Sequence, residues 1–337
     1  MDFSTQVTDQ LNIVHPIIMA PMFLVSSQLM IEEGMKNGVM ATFPSLNFRK
    51  PGELAGILAA LNALKSSGVS GNYGVNLIVQ QTNPLYREHL RVCLEHEVPF
   101  YITSLGNPSE VIEKAHSYGG RVYCDVTNLV HARKCDSLGC DGFIAVGAGA
   151  GGHAGSNALH VLVDALHEEF PDKPVVAAGG IANGKQLAAM MVLGAAGASI
   201  GTRFIATTEA GVKQEYKDAI VEAGMDDIVM SEKISGTPCA IINTPFAKKI
   251  GYRQNWLERK LNSSKTFKKY FKMLVQLRGM KRLENSVHPG GYNNLWSAGQ
   301  SVQQIHSVKP VAEVISTLME EFEQAGEVFF NRKAHKE

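Results

Sequence analysis

The chain has 337 residues, 45% of them hydrophobic and 19% charged, which is the composition of a chain that buries a full core and excludes disordered, collagenous and mucin-like classes. Its 32 basic and 32 acidic side chains cancel, so no global field draws it to nucleic acid, an anionic membrane surface or a basic partner. No apolar run nears the roughly 18 residues a membrane span needs, and the opening, with Asp2 and Asp9, lacks a basic region before an apolar core, so a cytoplasmic protein without membrane or nucleic-acid partners is expected.

From Ile17 onward, short β-branched or small-residue runs recur, each followed by polar or Gly-rich punctuation and then an amphipathic stretch. Strands are predicted at Ile17 to Met22, Val39 to Phe43, Tyr73 to Ile78, Phe100 to Ser104, Arg121 to Val126, Phe143 to Val146, Val175 to Ala178 and Ala198 to Ile200. The intervening helices are predicted at Ser27 to Asn37, Pro51 to Ser66, Pro84 to His96, Ser109 to Tyr118, Leu129 to Leu138, Ala158 to Glu169, Gly184 to Leu193 and Glu209 to Ala223. Near-continuous apolar strands suit a sheet buried on both faces. Eight β/α units in order predict an α/β protein with a (β/α)8 TIM barrel, although an open doubly wound sheet uses the same units.

After the eighth unit the composition changes. Lys248 to Arg282 holds twelve basic residues, and Glu258 is its only acid. Its apolar positions, Trp256, Leu257, Leu261, Phe267, Tyr270, Phe271 and Leu274, recur at helical steps, which suits a C-terminal helical segment packed over the barrel. That segment reads either as a solvated basic face or as a cover for the mouth and a dock for an acidic carrier or phosphate. His288 to Gly291 reads as a turn, Asn293 to Gln300 as a loop, and Val308 to Ala325 as a closing helix introduced by Pro310. Residues 1–225 with 305–330 are therefore expected to form the barrel, and 226–304 a helical and loop insertion near the active-site mouth. An apolar helix face also suits a homodimer.

In a parallel barrel the active site lies where the strands end. At strand seven, Val175 to Asn183 empties into Gly179 and Gly180 before a helix starts near Asn183, so backbone N–H groups and the helix start can meet a phosphate. At strand eight, Gly201 allows close approach, Thr202 offers an oxygen and Arg203 a charge. Gly147-Ala-Gly149-Ala-Gly-Gly152 satisfies the GxGxxG pattern, yet the next strand ends in Ala178-Gly179-Gly180 without the acid a ribose requires. Gly151-Gly152-His153-Ala-Gly155 sets one imidazole in a glycine frame, where it can take a proton from a carbon acid or hydrogen-bond a developing negative oxygen. His131, His160 and His167 fall at helical positions and read as packed or solvated groups. Ala20, Pro21 and Met22 present backbone and soft apolar surface to a flat ring, and Asn76 its polar edge, while each also suits barrel core. No metal-ligand spacing occurs, and Cys93, Cys124, Cys135, Cys140 and Cys239 read as free thiols.

Together, Met19-Ala-Pro-Met22, Gly74-Val-Asn76-Leu77, the His153 loop, Ala177-Ala-Gly-Gly180-Ile-Ala182 and Ile200-Gly-Thr-Arg-Phe204 resemble the nitronate monooxygenase family, from about Ile17 to Thr208, and Trp296-Ser-Ala-Gly-Gln300 resembles its C-terminal loop. The resemblance implies an FMN barrel acting on an alkyl nitronate and O2. Ala20, Pro21, Met22, Asn76 and Gly152 would then border the flavin; Gly179, Gly180, Gly201, Thr202 and Arg203 would hold its phosphate end; and His153 would be the catalytic imidazole. Many relatives carry Lys where this chain has Asp125, a carboxylate that would accept hydrogen bonds from flavin hydroxyls instead. The same barrel resembles NAD(P)H-dependent flavin reductases of the enoyl-acyl-carrier-protein and quinone types, and a non-catalytic flavin-binding protein would retain the same cradle.

Overall fold

A computed structural model describes residues 4–80, 83–233, 237–253, 284–286 and 294–331. Eight parallel strands close into a barrel in chain order: β1 (Ile17–Met19), β2 (Met40–Pro44), β3 (Asn72–Ile78), β4 (Phe100–Ser104), β5 (Arg121–Val126), β6 (Gly142–Val146), β7 (Val175–Ala178) and β8 (Gly197–Ile200). The open-sheet alternative falls with the closing pair, in which Ile17, Ile18 and Met19 lie opposite Ala198, Ser199 and Ile200. The observed strands agree with the predicted ones to within a residue, except that β1 stops at Met19. Beyond it Pro21 cannot donate to a ladder, and the last contact is the Ala20 N–H to the Ile200 carbonyl at 2.9 Å.

A helix not anticipated from the sequence, α1 (Gln6–Leu11), stoppers the N-terminal end of the barrel. Thr5 and Thr8 form a reciprocal capping box at its start, and Asn12, at φ 51°, ends it in the left-handed region. Val7, Leu11 and Ile13 pack on the inward residues Ile18, Met40, Phe100, Ile102, Tyr123, Ile144, Val176 and Ala178. Two polar ties hold the stopper: the Tyr123 hydroxyl donates to the Gln10 side-chain oxygen Oε1 at 3.0 Å, and the Asn72 amide donates to the Leu11 backbone carbonyl at 3.0 Å. Phe100 meets Tyr123 edge to face with ring centroids 5.1 Å apart, filling the lower interior. Any cavity must therefore lie at the C-terminal ends of the strands.

The outer layer is α2 (Gln28–Lys36), α3 (Glu53–Ser66), α4 (Tyr86–Glu95), α5 (Ser109–His116), α6 (Leu129–Ser137), α7 (Leu159–Glu169) and α8 (Gly184–Val192). After β8 comes a short helix the sequence did not announce, α9 (Thr202–Ile205), and the helix predicted over 209–223 starts later, as α10 (Gln214–Glu222). In the irregular stretch between them the Glu209 carboxylate accepts the Val311 N–H at 3.0 Å. A hairpin of β9 (Ile228–Ser231) and β10 (Cys239–Ile242), unforeseen in the sequence, precedes α11 (Pro245–Ile250). The closing helix α12 (Val311–Asn331) packs chiefly on α8. The predicted helices carrying Trp256 to Leu274 and the turn from His288 to Gly291 lie outside the described residues, as does most of the basic stretch; of it, Lys248 and Lys249 are exposed on α11. Among the described residues none of the cysteines forms a disulfide, no metal-binding cluster of His, Cys, Asp or Glu occurs, and no helix is long and apolar enough to cross a membrane.

The α8–α12 contact depends on one missing side chain. A Cβ at Gly184 would lie 2.2 Å from both the Leu318 carbonyl oxygen and the Phe322 nitrogen, backbone atoms that cannot swing aside. Gly184→Ala is expected to lower stability by about 1–3 kcal/mol, read as a lower urea midpoint.

Candidate active site

Side chains alternate inward and outward along each strand, so Ile102 and Tyr123 in the barrel interior place Ser104 and Asp125, two residues on, on the same side nearer the mouth. There the structure connects three neighbouring strands. The buried Asn76 amide donates to the Ile102 carbonyl at 3.1 Å and to Ser104 Oγ at 2.7 Å, and the Ser104 hydroxyl donates to Asp125 Oδ2 at 2.6 Å. Burial pushes the Asp125 carboxyl up to about 6, and the Ser104 hydrogen bond works against that rise. Ser104, which the sequence marks only as the end of a strand, links the two candidate site residues Asn76 and Asp125.

The opposite side of the mouth is small and apolar. Met19 accepts the Thr42 hydroxyl at 2.5 Å, and beyond it the half-buried Ala20, Pro21 and Met22 turn away from the strand. A Cβ at Gly201 would lie 3.5 Å from Ala20 Cβ and 3.6 Å from Met22 Sδ, so the ends of β1 and β8 form one wall. Asn47, in the 3-10 turn Ser45–Asn47 after β2, braces the loop behind it. Its amide donates to the carbonyls of Met22 (3.2 Å) and Ser26 (3.1 Å), and its oxygen accepts the N–H of Leu24 (2.9 Å), which sits at φ 62°. Nothing in the pattern marks an Asn in a turn as a brace, and the sequence reading missed it.

Gly179 at φ 114° and Gly180 at φ 76° form the turn after β7. A Cβ on Gly179 would come 2.7 Å from the Ala150 nitrogen, whereas one on Gly180 would meet no heavy atom within 4 Å. The backbone N–H groups of Gly179, Gly180, Gly201 and Thr202 make no hydrogen bond among the described residues. At the start of α8, by contrast, the N–H groups of Ala182, Gly184 and Gln186 are already taken. Asn183 caps Gln186 N–H at 2.9 Å, Gln186 accepts Ala182 N–H at 2.8 Å, and Glu321 from α12 accepts Gly184 N–H at 2.8 Å. The expectation that this helix start attracts a phosphate is thereby corrected: a carboxylate of the chain itself stands there.

Thr202 and Arg203 are both buried. Thr202 Oγ accepts the Gly299 N–H at 3.0 Å, and the Arg203 guanidinium donates to the Ser307 carbonyl at 3.1 Å. Burial lowers the Arg203 pKa while Glu313 and Glu321 raise it, so its charge is turned towards α12 as well as lying beside the β8 loop.

His153 is exposed on the loop after β6, and backbone contacts on both sides fix that loop. Gly152, at φ 67°, exchanges hydrogen bonds with Ala240 of β10 at 3.1 and 2.7 Å. A Cβ at Gly151 would lie 2.8 Å from the Gly299 nitrogen, and Gly149 lies against Gly180. Residues 294–300, expected as a loop, serve as a strap. Ser297 bridges Ile241, and Trp296 stacks on Tyr216 with centroids 5.3 Å apart while donating to the Ser286 carbonyl at 3.0 Å. The glycines of the GxGxxG match thus pack this loop against the strap and the β7 turn. His131, His160 and His167 are exposed on their helices.

A sequence model of the nitronate monooxygenase family matches residues 58–321. A probable nitronate monooxygenase of Staphylococcus saprophyticus is 35% identical over 176 residues, 49% of this chain and 50% of that protein, so the match spans about half the length of this relative. The 5-hydroxy-7a-methyl-1-oxo-octahydro-1H-indene-4-carboxyl-CoA dehydrogenase of Rhodococcus jostii is 28% identical over 251 residues, 74% of this chain and 69% of that one. The solved structure of FabK from Thermotoga maritima superposes with a TM-score of 0.83 at 30% identity, covering 98% of this chain and 99% of its own.

Asp125 carries a pH signature. A carboxyl whose folded pKa, about 6, lies above its ordinary value of 3.8 lowers stability above pH 6 and does not below both values. Asp125→Asn is therefore expected to raise the denaturant midpoint near neutral pH, with the gain shrinking through about pH 6 and vanishing by about pH 4, as followed by urea unfolding of the ligand-free protein.

Proposed function

The chain belongs to the nitronate monooxygenase family, a family of flavoenzymes, and from that premise we propose that this oxidoreductase is an FMN-dependent nitronate monooxygenase, oxidising alkyl nitronates with O2 to carbonyl compounds and nitrite. The observation that carries the reading is the pair of glycine turns after β7 and β8. Their four N–H groups lack partners among the described residues, and the space over Gly180 is open, which fits a phosphate group held by backbone. The mouth between them is apolar on the Ala20, Met22 and Gly201 side and polar on the Asn76, Ser104 and Asp125 side, which fits a flat ring with one apolar and one polar edge.

FMN, when bound, supplies the redox chemistry, taking electrons from the substrate and passing them to O2. The protein's share is position and charge. Gly179, Gly180, Gly201 and Thr202 would hold the phosphate through backbone N–H groups, with Arg203 adding positive charge behind them. Ala20, Pro21 and Met22 would border the ring, Gly152 would fix the approach of the His153 loop, and Asn76 and Asp125 would take the polar groups. His153, neutral, would accept the proton from the carbon beside a nitro group; as a donor, it would hold a nitronate oxygen in place. The insertion 226–304, tied to Gly152 through β10 and to Thr202 through Gly299, would wall the mouth against water.

A second reading, an NAD(P)H-dependent flavin reductase of the enoyl-acyl-carrier-protein or quinone type, is favoured by the Rhodococcus dehydrogenase and by the likeness to FabK over nearly the whole chain. Anaerobic mixing separates the two. Bleaching of the flavin absorbance by propyl-2-nitronate and not by NADH is expected; rapid bleaching by NADH would establish the reductase instead. His153→Asn is expected to keep FMN bound and to lower turnover of nitroalkane by about 100-fold or more, measured as oxygen uptake, and unchanged turnover would remove the role.

A further inference from the structure

Asn76, Ser104 and Asp125 form a chain of hydrogen bonds whose direction is fixed. Asn76 Nδ2 faces the Ile102 carbonyl, which only accepts, so the amide nitrogen must lie there and its second hydrogen goes to Ser104 Oγ. Ser104 thus accepts from Asn76 and spends its single hydroxyl proton on Asp125 Oδ2. The two remaining oxygens, Asn76 Oδ1 and Asp125 Oδ1, have no partner among the described residues, and no fully buried side-chain oxygen lacks one, so both are reachable from the mouth. They call for a ligand that donates hydrogen bonds.

Around Asp125 stand Asn76 of β3, Ser104 of β4, Ile144 opposite it on β6, and Cys135 of α6. Among the described residues no cation pairs with Asp125, and the Cys135 thiol is held protonated, its pKa raised by its hydrogen bond to Cys124 and by burial. A charge that forms on Asp125 is therefore felt across the mouth rather than cancelled by any described residue.

Resting on the FMN reading, we propose that the Asp125 carboxyl is the group by which this site distinguishes oxidised from reduced FMN, so that the balance between the two shifts with acidity. The oxidised ring is neutral, whereas two electrons taken up with a single proton leave the reduced ring with one negative charge, which a nearby carboxylate disfavours. Protonated, the same carboxyl leaves the two forms on equal terms. With the carboxyl titrating at about 6, the preference for the oxidised form is present above that pH and fades below it.

The test is a potentiometric titration of the FMN-loaded protein against redox dyes from about pH 5 to about pH 8. Asp125→Asn keeps an acceptor for the Ser104 hydroxyl and removes the charge. Near pH 8 it is expected to favour reduced FMN by about tenfold more than the wild type, a midpoint roughly 30 mV higher for a two-electron couple, and near pH 5 the two midpoints should coincide. Ser104→Ala, which takes a donor from the carboxylate, should move the pH at which the midpoints part to a higher value. Wild-type and Asp125→Asn midpoints that run together at every pH would overturn the proposal while leaving FMN binding intact. A wild-type protein that retains no FMN would instead sink the cofactor reading beneath it.

Discussion

Where β8 meets β1, the Ala20 N–H donates to the Ile200 carbonyl, and this last rung brings the first and last loops of the barrel into contact, with Gly201 against Ala20 and Met22. The rest of the mouth depends on that register. Had β8 stayed at an open edge, Gly201 and Thr202 would face solvent at one end of a sheet and Met22 would lie at the other. Closure turns residues 180 positions apart in the chain into one wall, and it sets the β7 turn beside that wall with its N–H groups unengaged. A parallel barrel needs inward side chains large enough to fill it, and Phe100, Tyr123 and Ile144 do so below the mouth.

Much of this was legible in the sequence because strands buried on both faces must be apolar along their length. Val175 to Ala178 and Phe100 to Ser104 announce themselves for that reason. Glycine turns at strand ends were legible too, since few other residues accept φ 114° at Gly179. What the sequence hid was long-range. Glu321 occupies the start of α8 from 137 residues away, and no local signal near Gly184 foretells it. Ser104 looks like any polar residue ending a strand until Asn76 and Asp125 flank it in space. The β9 and β10 strands are four residues each and, among the described residues, pair with one another and through isolated bridges alone, too little pattern to separate from loop.

The two halves of the mouth are held by different means. The β1 and β8 side is held by the backbone rung from Ala20 to Ile200 and by the contact of Gly201 with Ala20 and Met22. The β3 to β5 side is fixed by directed hydrogen bonds between side chains, which fix orientation and leave one oxygen each on Asn76 and Asp125 for a ligand. The strap through Ser297, Ala298 and Gly299 joins the two, since it touches β10, the Gly151 backbone and the Thr202 hydroxyl at once. Substitutions in the strap should therefore be felt at the His153 loop and the β8 turn together.

The stopper at the N-terminal end has a traffic consequence. With Val7 and Leu11 sealing the floor and Tyr123 and Asn72 tying them down, the barrel is a blind vessel rather than a tunnel. Among the described residues the floor offers no passage, so molecules come and go at the mouth, where a bulky occupant in the neck delays the next arrival and a small gas has a standing advantage over any larger visitor.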